Sequence, residues 1–152
     1  MSILYFAYGS NMDAATMERH CPDYRVLGAA ELRDHRLGFT RRSKRTGTGV
    51  ADILPAPGES VWGVLYDLDD SQLAAIDEKE GNGWAYQRKL LTVLLHDRAV
   101  VHEAHAYAVI VPDDAHVPPS AEYLGLIRAA ARSRGLPAEY LARLDALTPS
   151  SS

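Results

Sequence analysis

Residues 61–81 read VWGVLYDLDDSQLAAIDEKEG, and the rest of the chain is best read outward from them. VWGVLYDL is an apolar and aromatic run of strand length with polar residues on both sides, which predicts a strand over 61–68. Asp69, Asp70 and Ser71 are natural N-cap residues, Leu73 and Ile76 supply an apolar face, and Gly81 is a natural stop, so a helix is expected between them. On a wheel of about 100° per residue from Leu73, Ile76 falls at about 300°, Glu80 at about 340° and Asp77 at about 40°. Glu80 therefore belongs to the apolar stripe and Asp77 flanks it. Glu78 and Lys79 fall at about 140° and about 240° and are expected to face solvent. Burial and the negative end of the helix both disfavour a charged carboxylate, which points to Glu80 as a poised general base. The alternative is that the helix has frayed by Glu80 and the side chain points to water.

Upstream, ILYFAY at 3–8 is a short apolar run stopped by Gly9, Ser10 and Asn11, which predicts a buried strand ending in a tight loop. Such a loop presents consecutive backbone N–H groups with no side chain on the glycine, and it suits a carboxylate or a developing oxyanion. Equally, it is an ordinary strand-to-helix turn in which Ser10 or Asn11 only caps a helix over 12–19. Strands are expected over 35–40 and 50–54, on either side of the polar stretch RRSKRTGTG, with PAPGES at 55–60 as a turn. Downstream, 86–95 and 100–111 read as two long strands around an HDRA turn. Ser120 then caps a helix that carries Tyr123, Leu126, Ile127, Ala130 and Ala131 at helical spacing and ends at Gly135. Pro137 opens a last helix to about Leu147. Strands with interleaved helices that cluster late predict an α+β fold with a mostly antiparallel sheet or barrel, one domain over 1–147 and a frayed tail over 148–152.

The composition supports this. With 152 residues, 47% hydrophobic and 24% charged, the chain matches an ordinary globular domain and excludes disorder, collagen and coiled coil. A net charge of −4 is too mild for a nucleic-acid coat or a polybasic membrane anchor. Cys21 has no internal disulfide partner and is expected to be a buried thiol; no apolar run is long enough to span a bilayer, and no secretory signal is read, so the cytoplasm is the expected compartment. Arg41, Arg42, Lys44 and Arg45 read best as a solvated loop, ahead of steering an anionic substrate or touching RNA. His102 and His105 fall on opposite faces of a strand, so no metal is expected. Ser10 is not in a GxSxG elbow. Trp62 and Trp84 read as core or rim aromatics.

YFAYGSNM at 5–12, VWGVLYDL followed by IDEKEG, and VPPSAEY at 117–123 before GLPAEYLARL together resemble the gamma-glutamylcyclotransferase family, including its AIG2-like and bacterial relatives. The resemblance implies a small mixed, mostly antiparallel β-barrel flanked by helices. It also implies a cofactor-free enzyme that cleaves a small-molecule γ-glutamyl amide by intramolecular attack, releasing 5-oxoproline and a free amine, with no metal, nucleic acid or membrane involved. By position, Glu80 is the acid–base residue. Tyr5, Phe6, Ala7, Tyr8, Gly9 and Ser10 are the segment that cradles the γ-glutamyl group, and Tyr123 belongs to the same site unless it is a packed core aromatic. Tyr86 would form a wall. The side that meets the leaving amine is expected from the basic loop and from the residues between Gly81 and Tyr86. The identity of that amine, the oligomeric state, a γ-glutamyl-protected intermediate or γ-glutamylamine as substrate, and a binding protein without turnover all stay open.

Overall fold

A computed structural model describes residues 2–96, 100–113 and 115–150. Among them, five strands close into a barrel in the order β1 (Ile3–Ala7), β3 (Gly49–Leu68), β2 (Arg25–Arg42), β4 (Tyr86–Leu95) and β5 (Val100–Val109). All neighbours run antiparallel except β1 and β5, whose parallel pairing closes the barrel at Tyr5 and His105. Helices α1 (Ala14–His20), α2 (Asp70–Glu80), α3 (Ala121–Ser133) and α4 (Ala138–Asp145) flank it. The mixed, mostly antiparallel barrel with flanking helices is thus the observed fold.

The strand readings were right in type; 86–95 matches β4, 3–8 and 100–111 run slightly past β1 and β5, and those over 35–40, 50–54 and 61–68 were short in extent. Residues 49–68 form one strand, because PAPGES is an excursion within β3 and not its end. Arg33 faces Ser60 while His35 faces Pro55, so the extra residues loop out opposite Asp34, whose φ of 61° makes the matching kink. Asp34 Oδ1 ties the excursion down by accepting from Gly58 N–H at 3.0 Å. The turn chemistry was local, and the ladder resumed beyond it. In the same way β2 starts at Arg25, since Gly28, Ala29 and Ala30 carry little strand propensity of their own and are held by pairing with β3. The expected HDRA turn falls largely on residues 97–99, outside the described residues.

Capping follows the sequence at α2 and α3. Asp69 accepts from Gln72 N–H while the Gln72 side chain accepts from Asp69 N–H, a reciprocal box, and Ser120 accepts from Tyr123 N–H. At α1 the expectation fails: Ser10–Met12 form a separate 3-10 turn, and Asp13 caps the helix through Thr16 N–H. This frees Asn11 for other work. Leu73 and Ile76 of α2, Leu124, Ile127 and Ala131 of α3, and Leu144 of α4 join Phe6, Leu65 and Tyr66 in a common core. At the C-terminal end, Ser150 N–H donates to the Pro119 carbonyl at 2.7 Å. Cys21 is buried as expected, and burial pushes its thiol up to about 11. No helix of the described residues is long and apolar enough to cross a membrane.

Candidate active site

Where β1 ends, the 3-10 turn, the last turn of α2 and the near ends of β2, β3 and α3 enclose a cavity of about 200 Å³. Tyr5, Tyr8, Gly9, Ser10, Glu80 and Tyr123 all line it, as do Tyr86 and Ala85. Phe6 and Ala7 do not. Alternation along β1 turns Phe6 away from the cavity, where it is fully buried near Tyr8, and Ala7 is buried in the same core. Their contribution is to hold β1 in register with Leu65 and Val64.

Glu80 is neither frayed nor solvated. It is the last residue of α2, and Gly81 closes the helix with φ 67° while donating to the Asp77 and Glu78 carbonyls. A β-carbon at Gly81 would also stand 2.6 Å from the Trp84 indole, so this position needs glycine twice over. Asn11 grips the Glu80 carboxylate. Its Nδ2 donates to Glu80 Oε1 at 2.9 Å and to the Tyr5 hydroxyl at 2.7 Å, while its Oδ1 accepts from Lys79 Nζ. Both amide protons and the carbonyl are engaged, which fixes the orientation of the amide.

The wheel placed Lys79 in solvent, and the structure does not. Its Nζ lies 3.5 Å from Glu80 Oε1 and 3.4 Å from Ser10 Oγ, and the two side chains are each only 19% exposed. A lysine's four-carbon stem reaches round the helix end to a polar target, which a direction drawn at Cβ ignores. Asp77, expected to flank the stripe, is occupied elsewhere: Arg88 pairs with it at 3.0 Å and the Tyr107 hydroxyl donates to it. Among the described lining residues Glu80 is then the sole carboxylate.

Five tyrosines complete the walls, and burial raises all of their hydroxyl pKa values, so they act as neutral phenols. Tyr123 is more than core packing. Its oxygen accepts from Ala51 N–H at 3.1 Å and would sit 3.5 Å from a methyl at Gly9, while Tyr86 donates to the Ala51 carbonyl at 2.7 Å. The Tyr8 hydroxyl donates to the Tyr107 carbonyl, and Tyr66 donates to the Asn11 carbonyl at 2.7 Å, which anchors the 3-10 turn from below. Arg134 of the α3 end adds a bond to the Met12 carbonyl at 3.0 Å.

The basic stretch divides. Lys44 and Arg45 are exposed, but Arg41 and Ser43 line the mouth, with the Arg41 guanidinium 5.6 Å from the Trp84 ring centroid. Trp84 is a rim aromatic, 68% exposed. His102 and His105 stay apart from the site, and among the described residues no three His, Cys, Asp or Glu side chains gather as a metal group.

Residues 5–125 match the family model described as gamma-glutamyl cyclotransferase, AIG2-like. The chain belongs to this family. It is similar to the gamma-glutamylcyclotransferase of Homo sapiens, 30% identical over 97% of this chain and 80% of the human protein, and to that of Bos taurus, 31% identical over the same shares. A solved structure titled gamma-glutamyl cyclotransferase superposes with a TM-score of 0.92 at 30% identity, covering 100% of this chain and 91% of that one. The family's barrel is therefore the fold described above.

Sequence reasoning missed three members of the site. Asn11 was read as a helix cap, Lys79 as a solvated lysine, and Tyr107 was not singled out. The available signal for Asn11 was its place after Tyr-Gly-Ser and before a methionine that would be buried. An amide there needs polar partners from another element.

Proposed function

We propose that this chain is a cofactor-free cyclotransferase of γ-glutamyl amides, an enzyme of the cytoplasm whose catalytic unit is the single domain over residues 1–147. The observation that carries the reading is the Glu80 carboxylate, gripped by Asn11 at the wall of a cavity it shares with Gly9 and Ser10. Glu80 takes a proton from the substrate's α-ammonium, and the freed amine attacks the γ-carbonyl to form the ring C–N bond. Backbone N–H groups at Gly9 and Ser10 receive the oxyanion, a role in which one lost donor costs typically 10² to 10³ in rate. As the old C–N bond breaks, protonated Glu80 gives its proton to the departing nitrogen. The ring nitrogen sheds one more proton to become the lactam, and the released amine takes one from water. No water enters the products' bonds.

Tyr5, Tyr8 and Tyr123 bind the γ-glutamyl group, with Phe6 and Ala7 supporting the strand behind them. Tyr5 accepts from Asn11 and stays a phenol, so its own proton remains to be donated. The test is 5-oxoproline release from a panel of γ-glutamyl amino acids and amines, with wild type beside Glu80→Gln. Release by wild type alone supports the assignment. Equal release by the variant rejects Glu80 as the acid–base residue, and calorimetric binding without release would make the protein a γ-glutamyl binder.

A further inference from the structure

The lining of the cavity carries an odd charge. Glu80 is its carboxylate and Lys79 its near counter-ion at 3.5 Å, so the inner end balances itself. Arg41, at the mouth, forms no ion pair among the described residues. One cation is therefore left over in a half-buried position facing the cavity. A γ-glutamyl group supplies nothing to balance it, since its α-ammonium and α-carboxylate cancel. Both of those charges also sit on one carbon, and the ammonium must reach Glu80. On the cyclotransferase reading, the α-carboxylate then belongs at the inner end, where the Lys79 ammonium lies.

We propose that Arg41, laid on the Trp84 indole at the cavity mouth, is the specificity-determining residue that receives a carboxylate on the leaving group. This rests on the cyclotransferase reading above. The geometry suits the task. A guanidinium stacked on an aromatic face keeps its in-plane N–H fork free for bidentate contact with a carboxylate. Trp84 is itself set in place by the helix that carries Glu80. Its indole lies against the bare Cα of Gly81, and the Trp84 backbone N–H donates to the Gly81 carbonyl at 3.1 Å. The platform thus links the acid–base residue to the cation through Gly81 and Trp84. Lys44 Nζ, 6.0 Å from the same ring centroid, adds positive potential on the same rim.

The test compares γ-glutamyl-alanine with γ-glutamyl-ethylamine, which differ only in the leaving group's carboxylate. Wild type is expected to prefer the alanine conjugate in kcat/KM by about 10- to 100-fold, the range of one charge-assisted bidentate contact. Arg41→Gln should bring that ratio near one, Arg41→Lys should recover part of it, and Arg41→Glu should turn preference toward a γ-glutamyl-ethylenediamine conjugate. An unchanged ratio in Arg41→Gln, or an equal loss on both substrates, overturns the proposal. Calorimetric binding of the same two ligands separates this from the catalytic reading. Binding that loses its carboxylate dependence in Arg41→Gln, with no 5-oxoproline from wild type, keeps Arg41 and rejects catalysis; neither turnover nor carboxylate-dependent binding rejects both.

Discussion

The two ends of the cavity are built by different means. At the inner end Tyr5, Asn11, Lys79 and Glu80 come from three separate elements and hold one another by hydrogen bonds, with Tyr66 and Arg134 bracing the turn beneath. At the mouth Arg41 and Lys44 meet Trp84 through ring faces alone, and the indole is largely exposed. The inner network fixes the positions of these side chains, as the proposed proton transfer requires. The outer contacts offer a cation to whatever arrives. Rate should therefore reside at one end and choice of leaving group at the other.

The strongest way to break this division is Glu80→Gln. It should lower kcat by about 10² to 10⁴ while calorimetry still finds the γ-glutamyl ligand bound. Asn11→Ala should follow with about 10²-fold, because Glu80 loses its orienting donor and a misplacement of about 1 Å has that cost. If Asn11→Ala acts on KM alone, the inner end is a binding wall and not a positioning device.

Gly81→Ala probes the joint between the two ends. The left-handed φ and the 2.6 Å approach of Trp84 should lower stability by at least about 1–2 kcal/mol, read as the midpoint of denaturant unfolding. Tyr123→Phe removes a neutral hydroxyl and should raise KM about two- to ten-fold with kcat nearly kept, corresponding to one uncharged hydrogen bond. A fall in kcat of the same size would move Tyr123 to the rate-bearing end.

In alkali the two ends should behave alike, since burial raises the tyrosines of both. Tyr66, beneath the inner end, is pushed up to about 12 by burial. A phenol whose folded pKa exceeds its unfolded value of about 10 stabilises the fold fully below that pH and loses this contribution as pH rises toward the folded value. Unfolding and tyrosine ionisation should accordingly coincide above about pH 10. Ionisation of the buried tyrosines well before unfolding would contradict the packing described.

Much of this was legible in the chain. The α2 N-cap among Asp69, Asp70 and Ser71, the stop at Gly81 and the Ser120 cap depend on neighbours within a few residues and were legible, while the reciprocal role of Gln72 was not read. Glu80 was placed on the buried face because helical periodicity needs no knowledge of what the helix packs against. What failed was long-range. Residues 25–34 have weak strand propensity and become β2 only by pairing with β3, and PAPGES looks like an end until the ladder continues past it. Phe6 and Ala7 were grouped with Tyr5 and Tyr8, yet Phe6 faces opposite to Tyr5 along β1, and both Phe6 and Ala7 are buried in the core and do not line the cavity.

The sequence by itself determined most of the elements, the caps of α2 and α3 and the placing of Glu80 on the apolar side of its helix, since these follow from spacing and local hydrogen bonding along one segment. Only the tertiary structure decided that Asn11 grips Glu80 from 69 residues away, that Lys79 reaches inward, and that Arg41 lies over Trp84 with no ion pair among the described residues. Those are contacts between segments brought together by barrel closure, and no periodicity within a segment encodes its partner.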